Sequence, residues 1–246
     1  MNRIDTDIAE ALAHTTSPGI SGTLHGSRAS PAVQRVYGRL RERIISLDLP
    51  PNTVLSRASL AREYEVSQTP LREALQKLEA EGLVHIYPQS RTMVSRLVTS
   101  EIHEAHFLRV AVETEVMRRL CISCDPAVIK RLQTIVTMQE TLARDPEELQ
   151  SFQKLDDIFH QTLFAAVGQP GLHGLLQSRS GHLNRLRRLD LPGSGKIAHV
   201  LQDHRTIIGA LEAADPEAAQ DAIREHLSQT VKRVEVLRAE KPEYFA

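Results

Sequence analysis

Apolar residues recur every three to four positions along most of this chain, which is the spacing of helices that bury one face. A first helix is predicted from Ala32, and the two prolines of LDLPPNT end it because proline cannot continue a helix. The same spacing predicts a second helix over Arg57–Tyr64. A third is predicted from Ser67 or Thr69 to Gly82, a residue type that commonly ends helices.

Two segments after the third helix break this pattern. LVHIY and TMVSRLV predict two short strands, joined by PQSR. Three helices with a short turn before the third, followed by a hairpin, make a winged helix-turn-helix. After TSEIHE the periodicity is helical only, which predicts an all-α second domain.

We therefore expect a mainly α protein, in which an N-terminal winged helix-turn-helix of three helices plus a two-stranded wing precedes an all-α helical-bundle ligand-binding domain. Residues 1–30 are rich in Ser, Thr, Gly and Ala, which predicts a flexible N-terminal arm. The expected boundaries are 31–99 for the winged helix-turn-helix, 100–105 for a linker, 106–240 for the all-α domain and 241–246 for a C-terminal tail.

The third helix has a polar side opposite its leucines. The buried stripe is predicted to contain Leu71, Leu75 and Leu78, and the other side presents Gln68, Thr69 and Arg72. Gln pairs with adenine and Arg with guanine, and the start of a recognition helix is the part that reaches base edges. Arg57 at the start of the second helix and Arg91 in the wing are candidate phosphate contacts. A solvated helix face would explain each residue alone, but the order of elements favours DNA binding.

Composition and charge change this picture only slightly. The net charge is −1, but residues 31–99 hold ten Lys and Arg against seven Asp and Glu, whereas residues 100–246 hold 18 against 21. This mild asymmetry favours DNA contact by the first half. No apolar run approaches the roughly 20 residues that cross a bilayer, and the N-terminus lacks a secretory pattern. We expect a cytoplasmic protein without a membrane partner.

The two cysteines form the sequence CISC, Cys121 to Cys124, at the end of a helical pattern. A redox pair would require a thioredoxin-like setting, and a zinc site would require two more ligands. We therefore interpret Cys121 and Cys124 as two small residues near a helix end, without a redox or zinc-binding role.

Ionisable side chains coincide with the apolar faces of three predicted helices in the second half. Asp156 and His160 lie four positions apart on one helix, so their side chains meet. His204 and His226 each lie in the apolar stripe of a later helix. One such histidine is usually a satisfied core residue, but several buried ionisable groups are costly unless something pairs them. One Asp with three His suits Zn²⁺ or Ni²⁺, and less selectively Mn²⁺.

The segment LAREYEVSQTPLREALQKLEAEGLV resembles the DNA-binding domain of GntR-type bacterial regulators, and the resemblance covers residues 33–97. It implies that Ser67, Gln68, Thr69 and Arg72 lie at DNA-contacting positions. It also implies a homodimer bound to a short palindromic operator in double-stranded DNA. The family usually has Arg at the position of Gln68 and Gly at that of Arg91.

Three later segments, LRVAVETE, LDDIFHQTLFAAVGQPGL and DHRTIIGALEAADPEAAQDAIREHL, resemble the FCD ligand-sensing domain of the FadR branch of that family. In its metal-binding members, Asp-x-x-x-His on one helix is completed by two histidines from later helices. The corresponding residues here are Asp156, His160, His204 and His226. The family usually has GNP where this chain has Gln169 between Gly and Pro.

Fewer than six protein ligands leave room on a metal for water or for an effector oxygen. A small carboxylate metabolite would be held there by nearby cations, because Arg pairs bidentately with carboxylates. Arg109 is at a position that is often near the effector in such domains, and the run RSGHLNRLRRLDLPGSGK adds His182, Arg185 and Arg188 as candidates. A solvated basic face or a dimer contact is the alternative interpretation of that run.

The favoured interpretation is a ligand-responsive transcriptional regulator, and the resemblance implies that a repressor of a catabolic operon is the commoner outcome. Two alternatives stay open. One is a metal-dependent hydrolase-type enzyme, although no acid or base with a recognisable motif lies near the four ligands and the winged helix would be unexplained. The other is a metal sensor without an organic effector.

Overall fold

The computed structural model describes residues 30–88, 90–193 and 195–246. The predicted N-terminal arm therefore lies outside the described residues, apart from Ser30. The hydroxyl of Ser30 accepts a hydrogen bond from the Val33 N–H and caps the first helix.

The N-terminal domain contains three helices and a small sheet, in the order α1 (Pro31–Ile45), β1 (Val54–Leu55), α2 (Arg57–Glu63), α3 (Gln68–Ala80), β2 (Val84–Ile86) and β3 (Thr92–Val94). The sheet is antiparallel in the order β1-β3-β2. The two predicted wing strands are β2 and β3, and β1 adds a third strand at the edge. Two residues are too short to show an alternating pattern, so periodicity does not detect β1.

The start and end of α3 follow from its sequence. Ser67 has the extended backbone of a cap residue. Pro70 lies in the first turn, where backbone N–H groups have no partner within the helix, so the missing N–H of proline costs little. Gly82 ends the turn after the helix with a φ of +70°, a conformation that glycine adopts without strain. The side chains that α3 buries against α1 are Leu71, Ala74, Leu75 and Leu78.

The second domain is helical and contains α4 (Thr99–Ile122), α5 (Pro126–Leu142), a 3₁₀ turn (Pro146–Glu148), α6 (Leu149–Ala166), α7 (Pro170–Arg179), α8 (Gly181–Asp190), α9 (Lys196–Glu212), α10 (Pro216–Val231), α11 (Val234–Glu240) and a 3₁₀ turn (Pro242–Tyr244). The long helix α4 packs along α10, α10 packs on α9, and α5 packs on α6. Among the described helices, none combines the length and the hydropathy that crossing a membrane requires.

The predicted linker over 100–105 is wrong, because α4 begins at Thr99 and runs through those residues. Ile102 and Ala105 are buried at helical spacing, so the segment contributes a packed face rather than a flexible connection. The change of domain occurs instead in the extended segment 95–98.

Two side chains of α8 hold this extended segment. The guanidinium of Arg185 is fully buried and donates to the Ser95 carbonyl at 2.6 Å and to the Ser95 hydroxyl at 3.1 Å. His182 Nδ1 accepts the N–H of Val98 at 3.0 Å. These contacts tie the second domain to the backbone that leads out of the wing.

The C-terminal residues contact the same segment from another direction. The Leu97 N–H donates to the Tyr244 carbonyl at 2.8 Å, and the Ala246 N–H donates to the Leu97 carbonyl at 2.9 Å. Phe245 is buried beside them. Residues 241–246, predicted as a tail, are thus packed into the domain junction.

The hydrogen bonds of His182 require a neutral ring. Nδ1 accepts from Val98 and lies 3.1 Å from a guanidinium nitrogen of Arg185, while Nε2 lies 3.2 Å from the Gly82 carbonyl and donates to it. Burial, with the neighbouring Arg185 charge, lowers the pKa of His182 from 6.5 to about 3. A second proton on Nδ1 would face two donors.

We therefore predict that His182 makes the folded protein sensitive to acid. Between pH 6.5 and about 3 the unfolded chain binds a proton at His182 that the folded chain does not bind. The free energy of unfolding consequently falls as the pH falls through this window, by at most about 1.4 kcal/mol per pH unit from this residue. In metal-free protein, His182→Gln is expected to lower that slope in urea denaturation series at pH 6.5, 5.5 and 4.5. His103→Gln, at an exposed position on α4, is the control, and an unchanged slope in the His182 variant would contradict the assignment.

Candidate metal centre and DNA-binding surface

Four predicted ligands from three helices meet in the core of the second domain. Asp156 and His160 lie on α6, His204 on α9 and His226 on α10, and all four are buried. Each offers one ligand atom, and these four atoms lie within 4.8 Å of one another. The i, i+4 spacing on α6 and the apolar stripes of α9 and α10 bring them together.

The inner atoms of the cluster fit a divalent cation. His160 Nε2 is 3.2 Å from His226 Nε2, and Asp156 Oδ1 is 3.5 Å from His204 Nε2 and 4.0 Å from His226 Nε2. Zinc bonds of about 2.0–2.1 Å in a tetrahedron would place ligand atoms roughly 3.3–3.4 Å apart. Asp156 Oδ1 and His204 Nε2 are buried without a hydrogen-bond partner among the described residues. Because unsatisfied buried polar atoms are costly, this donor set is suited to a metal.

The outer ring nitrogens of His160 and His204 have acceptors that orient these two imidazoles. His160 Nδ1 lies 2.6 Å from a Glu113 carboxylate oxygen, and His204 Nδ1 lies 2.9 Å from the Gln139 side-chain oxygen. A proton on each Nδ1 leaves the Nε2 lone pair directed at the centre of the cluster. Acceptors of this kind behind metal-binding histidines fix the tautomer and strengthen the ligand.

The electrostatics give the ligands suitable protonation states. Burial by itself would raise the pKa of Asp156, but the hydrogen-bonded Arg187 guanidinium and the three imidazoles hold it well below its ordinary value. Burial lowers the pKa of His160 and lowers that of His204 further, because the imidazole of His226 adds to the effect. At neutral pH the carboxylate is ionised and these two imidazoles are neutral, as metal ligands must be.

Arg109, predicted to bind an effector, lies beside the cluster and donates through Nε to Glu113 at 2.8 Å. Burial would raise the pKa of Glu113, but Arg109 and His160 hold it far below its ordinary value. Arg109, Glu113 and His160 thus form a continuous buried chain of hydrogen bonds.

A narrow cavity of about 30 Å³ opens beside the ligands. Because one water needs roughly 10–15 Å³ of such space, the cavity has room for about two waters. The charged or titratable side chains of its lining are Arg109, Asp156, Arg187, Lys196, His199, Asp203 and His226. Three permanent cations therefore surround the approach to the cluster.

The other three predicted effector residues lie elsewhere. His182 and Arg185 contact the domain junction, and Arg188 Nε donates to the Ser46 carbonyl at 3.3 Å. Residues 181–190 of the basic run form helix α8, and the side of α8 that faces the cavity carries Arg187. Arg187 lies one helical turn after Leu183, and both residues line the cavity. This four-residue spacing distinguishes Arg187 from the other basic residues of the run.

Sequence reasoning did not identify the residues that surround the ligands, namely Glu113, Gln139, Arg187, Lys196 and Asp203. Glu113 and Gln139 are polar residues at buried helical positions, which is the signal that helical periodicity could have supplied. The contact of Arg187 with Asp156 depends on how α8 packs against α6. The spacing of residues within one helix does not predict this packing.

Four of the predicted DNA-contacting residues lie together at the start of α3. Ser67, Gln68, Thr69 and Arg72 are all exposed at the start of α3. In the described part of the chain, Arg72 makes no ion pair or side-chain hydrogen bond, so its guanidinium is available.

Arg57 and Arg91 lie at the sheet, where both line one pocket with Thr92. Arg57 Nε and Nη2 lie 3.4 and 3.3 Å from the hydroxyl oxygen of Thr92 in β3. The Arg91 guanidinium lies 5.3 Å from the ring centroid of Tyr87. Both arginines are exposed, as phosphate-contacting side chains must be.

Comparison with known proteins assigns both domains. Residues 32–94 match the family described as bacterial regulatory proteins, gntR family, and residues 104–229 match the FCD domain. The chain is 36% identical to an uncharacterized HTH-type transcriptional regulator in an unstable DNA locus of Streptomyces ambofaciens, over 86% of this chain and 88% of that protein. The chain belongs to the GntR family of bacterial transcriptional regulators. The predicted family, fold class and domain types are thereby confirmed.

Further relatives and solved structures agree with this assignment. The chain is 27% identical to the HTH-type transcriptional repressor RspR of Escherichia coli, over 88% of this chain and 94% of the repressor. It is 26% identical to the gluconate operon transcriptional repressor of Bacillus subtilis, over 86% and 88% of the two chains. E. coli McbR/YncC has the same fold, with a TM-score of 0.70 at 17% identity over 86% of this chain and 99% of that one. The curated relatives and both matched domains are those of transcriptional regulators rather than enzymes, which supports the regulator over the hydrolase alternative.

We predict that the cluster binds metal and that its outer hydrogen bonds strengthen binding. His204→Ala removes one ligand and should lower the metal content of purified protein, and full occupancy by elemental analysis would refute the ligand role. Gln139→Leu removes only the acceptor for His204 Nδ1 and should weaken Zn²⁺ affinity about 10–100-fold in competition with a chromogenic chelator. Gln133→Leu, on the exposed side of the same helix, is the matched control and should bind like wild type.

Proposed function

We propose that this GntR-family regulator is a repressor whose affinity for operator DNA changes when a small carboxylate metabolite binds beside a divalent metal in its FCD domain. The observation that carries the proposal is the convergence of three histidines and Asp156, with two inner atoms left unsatisfied, beside a cavity lined by three cations. Zn²⁺ is the metal that suits this donor set best, and Ni²⁺ or Mn²⁺ would also fit.

The metal would be held by Asp156, His160, His204 and His226. When bound, it supplies positive charge and open coordination positions for an oxygen ligand. The protein residues do the rest: Glu113 and Gln139 orient two imidazoles, and Arg187 keeps the Asp156 carboxylate ionised.

The cations at the cavity support a carboxylate as the effector. Arg109 reaches Glu113 through Nε, and Arg187 reaches Asp156 through one Nη atom. A guanidinium has five N–H donors, so each arginine retains donors for a ligand. Because the cavity has room for only about two waters, an organic ligand requires side chains at its mouth to move.

DNA recognition would use the start of α3 from two copies of the chain on one palindromic operator, in the cytoplasm. Gln68, Thr69 and Arg72 would reach base edges, and Ser67, Arg57 and Arg91 would contact phosphates. The relatives named as repressors support repression as the mode of action. A metabolite acts only through its different affinities for the DNA-bound and free forms, which sets the direction of the response.

The small size of the cavity favours a second candidate, a metal sensor without an organic effector. Titration of metal-free protein with Zn²⁺ and with a panel of small carboxylates, monitored by operator affinity, separates the two. A response to the metal alone supports the sensor. A further response to a carboxylate, present only in metal-loaded protein, supports the proposed repressor.

We predict that Arg72→Ala weakens binding to the operator selected from genomic fragments. Loss of one bidentate base contact costs about 1–3 kcal/mol, which lowers affinity roughly 5–150-fold. The circular dichroism spectrum and melting temperature should be unchanged, because the side chain is exposed and has no partner among the described residues. Arg205→Ala, an exposed arginine of α9 that pairs with Glu140, is the control. Unchanged affinity of the Arg72 variant in a gel shift would remove Arg72 from the reading surface.

A further inference from the structure

A cleft of about 500 Å³ lies between the two domains, beside the narrower cavity at the metal ligands. One wall is helix α1 of the winged helix-turn-helix, and the other is formed by α6, α7 and α8 of the second domain. Sites that bind small molecules have volumes of this order and occur preferentially at domain interfaces. The cleft therefore has the size and the position of a ligand site.

Five side-chain amides line this interdomain cleft, and they belong to Gln150, Gln153, Gln161, Gln177 and Asn184. Among the described residues, the Gln161 amide and the side-chain oxygens of Gln150 and Gln153 have no hydrogen-bond partner. An amide has both donors and an acceptor, so it matches hydroxyl groups, which also donate and accept. The free amide groups therefore favour a ligand with several hydroxyl groups.

The charged groups of the cleft already have partners. Each cation of the lining faces a carboxylate, and the pairs are Arg41–Glu81, Lys154–Glu42 and Arg187–Asp156. The remaining acid, Asp157, accepts a hydrogen bond from the Gln177 amide. Three cations are thus opposed by four carboxylates. Because an anion would meet no unpaired cation here, the cleft favours an uncharged ligand.

Gly38 keeps the α1 wall of the cleft open. It lies inside the helix, where glycine is less favourable than alanine. Its φ is not in the left-handed region, and a Cβ built on it meets no further atom within 4 Å among the described residues. Neither backbone conformation nor packing requires glycine at this position, and its effect is to leave room for a ligand.

We propose that the interdomain cleft binds a small uncharged polyhydroxy molecule, such as a monosaccharide or an alditol, at a site distinct from the metal. Its hydroxyl groups would pair with the amides of Gln150, Gln153 and Gln161, and its carbon skeleton would pack on Ile45 and Ile158. This site goes beyond the proposed function, because its recognition groups include neither the metal ligands nor the DNA-reading residues.

A ligand in the cleft would contact both domains. The walls already touch at its edge, where Lys154 Nζ lies 2.6 Å from Glu42 and Arg41 Nη2 donates to the Gln177 carbonyl at 2.6 Å. A ligand stabilises the arrangement to which it binds, so occupancy favours the one in which α1 lies against the second domain. The cleft is thus a second input to the orientation of the winged helix.

The first test is isothermal titration calorimetry of metal-loaded full-length protein with D-glucose, D-galactose, D-ribose and D-mannitol as probes. At least one probe should bind saturably at one site per chain. Gly38→Leu should weaken that binding about 10-fold or more, because the new side chain occupies the cleft. Absence of binding by every probe, or equal binding by wild type and Gly38→Leu, would overturn the proposal.

The matched control is Gly209→Leu, in the interior of α9, where an added Cβ also meets nothing within 4 Å. It should bind the probe like wild type. Equal loss in the two glycine variants would show a general effect of the substitution and overturn the assignment of Gly38 to the site.

The second test removes one recognition group without filling the cleft. Gln161→Leu should weaken probe binding about 2–10-fold, because the ligand loses a neutral hydrogen bond. Gln202→Leu, at an exposed position of α9, is the control and should leave binding unchanged. Wild-type affinity in the Gln161 variant would contradict recognition by the amides.

The third test distinguishes the cleft from the metal cavity, since Gln153 and Arg187 line both. Gly38→Leu protein should keep the wild-type metal content while it loses the probe, and His204→Ala protein should lose metal while it keeps the probe. Probe binding that is lost in His204→Ala and retained in Gly38→Leu would place the probe at the metal and overturn the proposal.

Hydrogen exchange measured by mass spectrometry tests whether the ligand spans both walls. The probe should slow exchange in peptides from α1 and from α6 of wild type, and in neither helix of Gly38→Leu. Protection of α6 alone would overturn contact with both domains. None of these measurements uses operator DNA, so failure of wild-type protein to select DNA would refute the proposed function and leave the cleft site standing.

Discussion

The ion pair between Asp156 and Arg187 allows a carboxylate to lie in the middle of an apolar helical core. Burial alone would neutralise this acid, and a protonated carboxyl group is a poor metal ligand. With Arg187 in place, Oδ2 is satisfied and Oδ1 remains directed at the histidines. The metal-ligand geometry, the protonation states and the chemistry of the cavity all depend on this pair.

Arg187 lies on α8, and this helix contacts two different parts of the molecule. One side of α8 carries Leu183 and Arg187 to the cavity, and another carries His182 and Arg185 to the segment between the domains. Burial lowers the pKa of Arg185 to about 9, and it has no carboxylate partner among the described residues. Burying a charge without a carboxylate partner is costly unless it is hydrogen-bonded, and Arg185 is hydrogen-bonded to the Ser95 carbonyl and hydroxyl in the segment between the domains. This short helix is thus one physical link between the cluster of candidate ligands and the winged helix.

Much of the fold could be predicted because local signals agreed with the final packing. The leucines of α3 have the helical period, Pro70 and Gly82 mark its ends, and the four metal ligands lie on apolar faces of their own helices. The linker over 100–105 was wrong because Ile102 and Ala105 become a packed face only when the second domain is present. The strand β1 was not predicted because it is defined by pairing with β3 rather than by its own two residues.

The sequence by itself determined most of the helices, the family and the four residues that cluster as candidate ligands, since helical period, turn residues and ligand types act within a few neighbouring positions. Only the tertiary structure decided which cations surround the cluster. The basic run of α8 offers several arginines, and packing against α6 directs Arg187 to Asp156 while Arg185 is directed to Ser95. Contacts between helices distant in the chain depend on crossing angle and rotation, which spacing within one helix does not report.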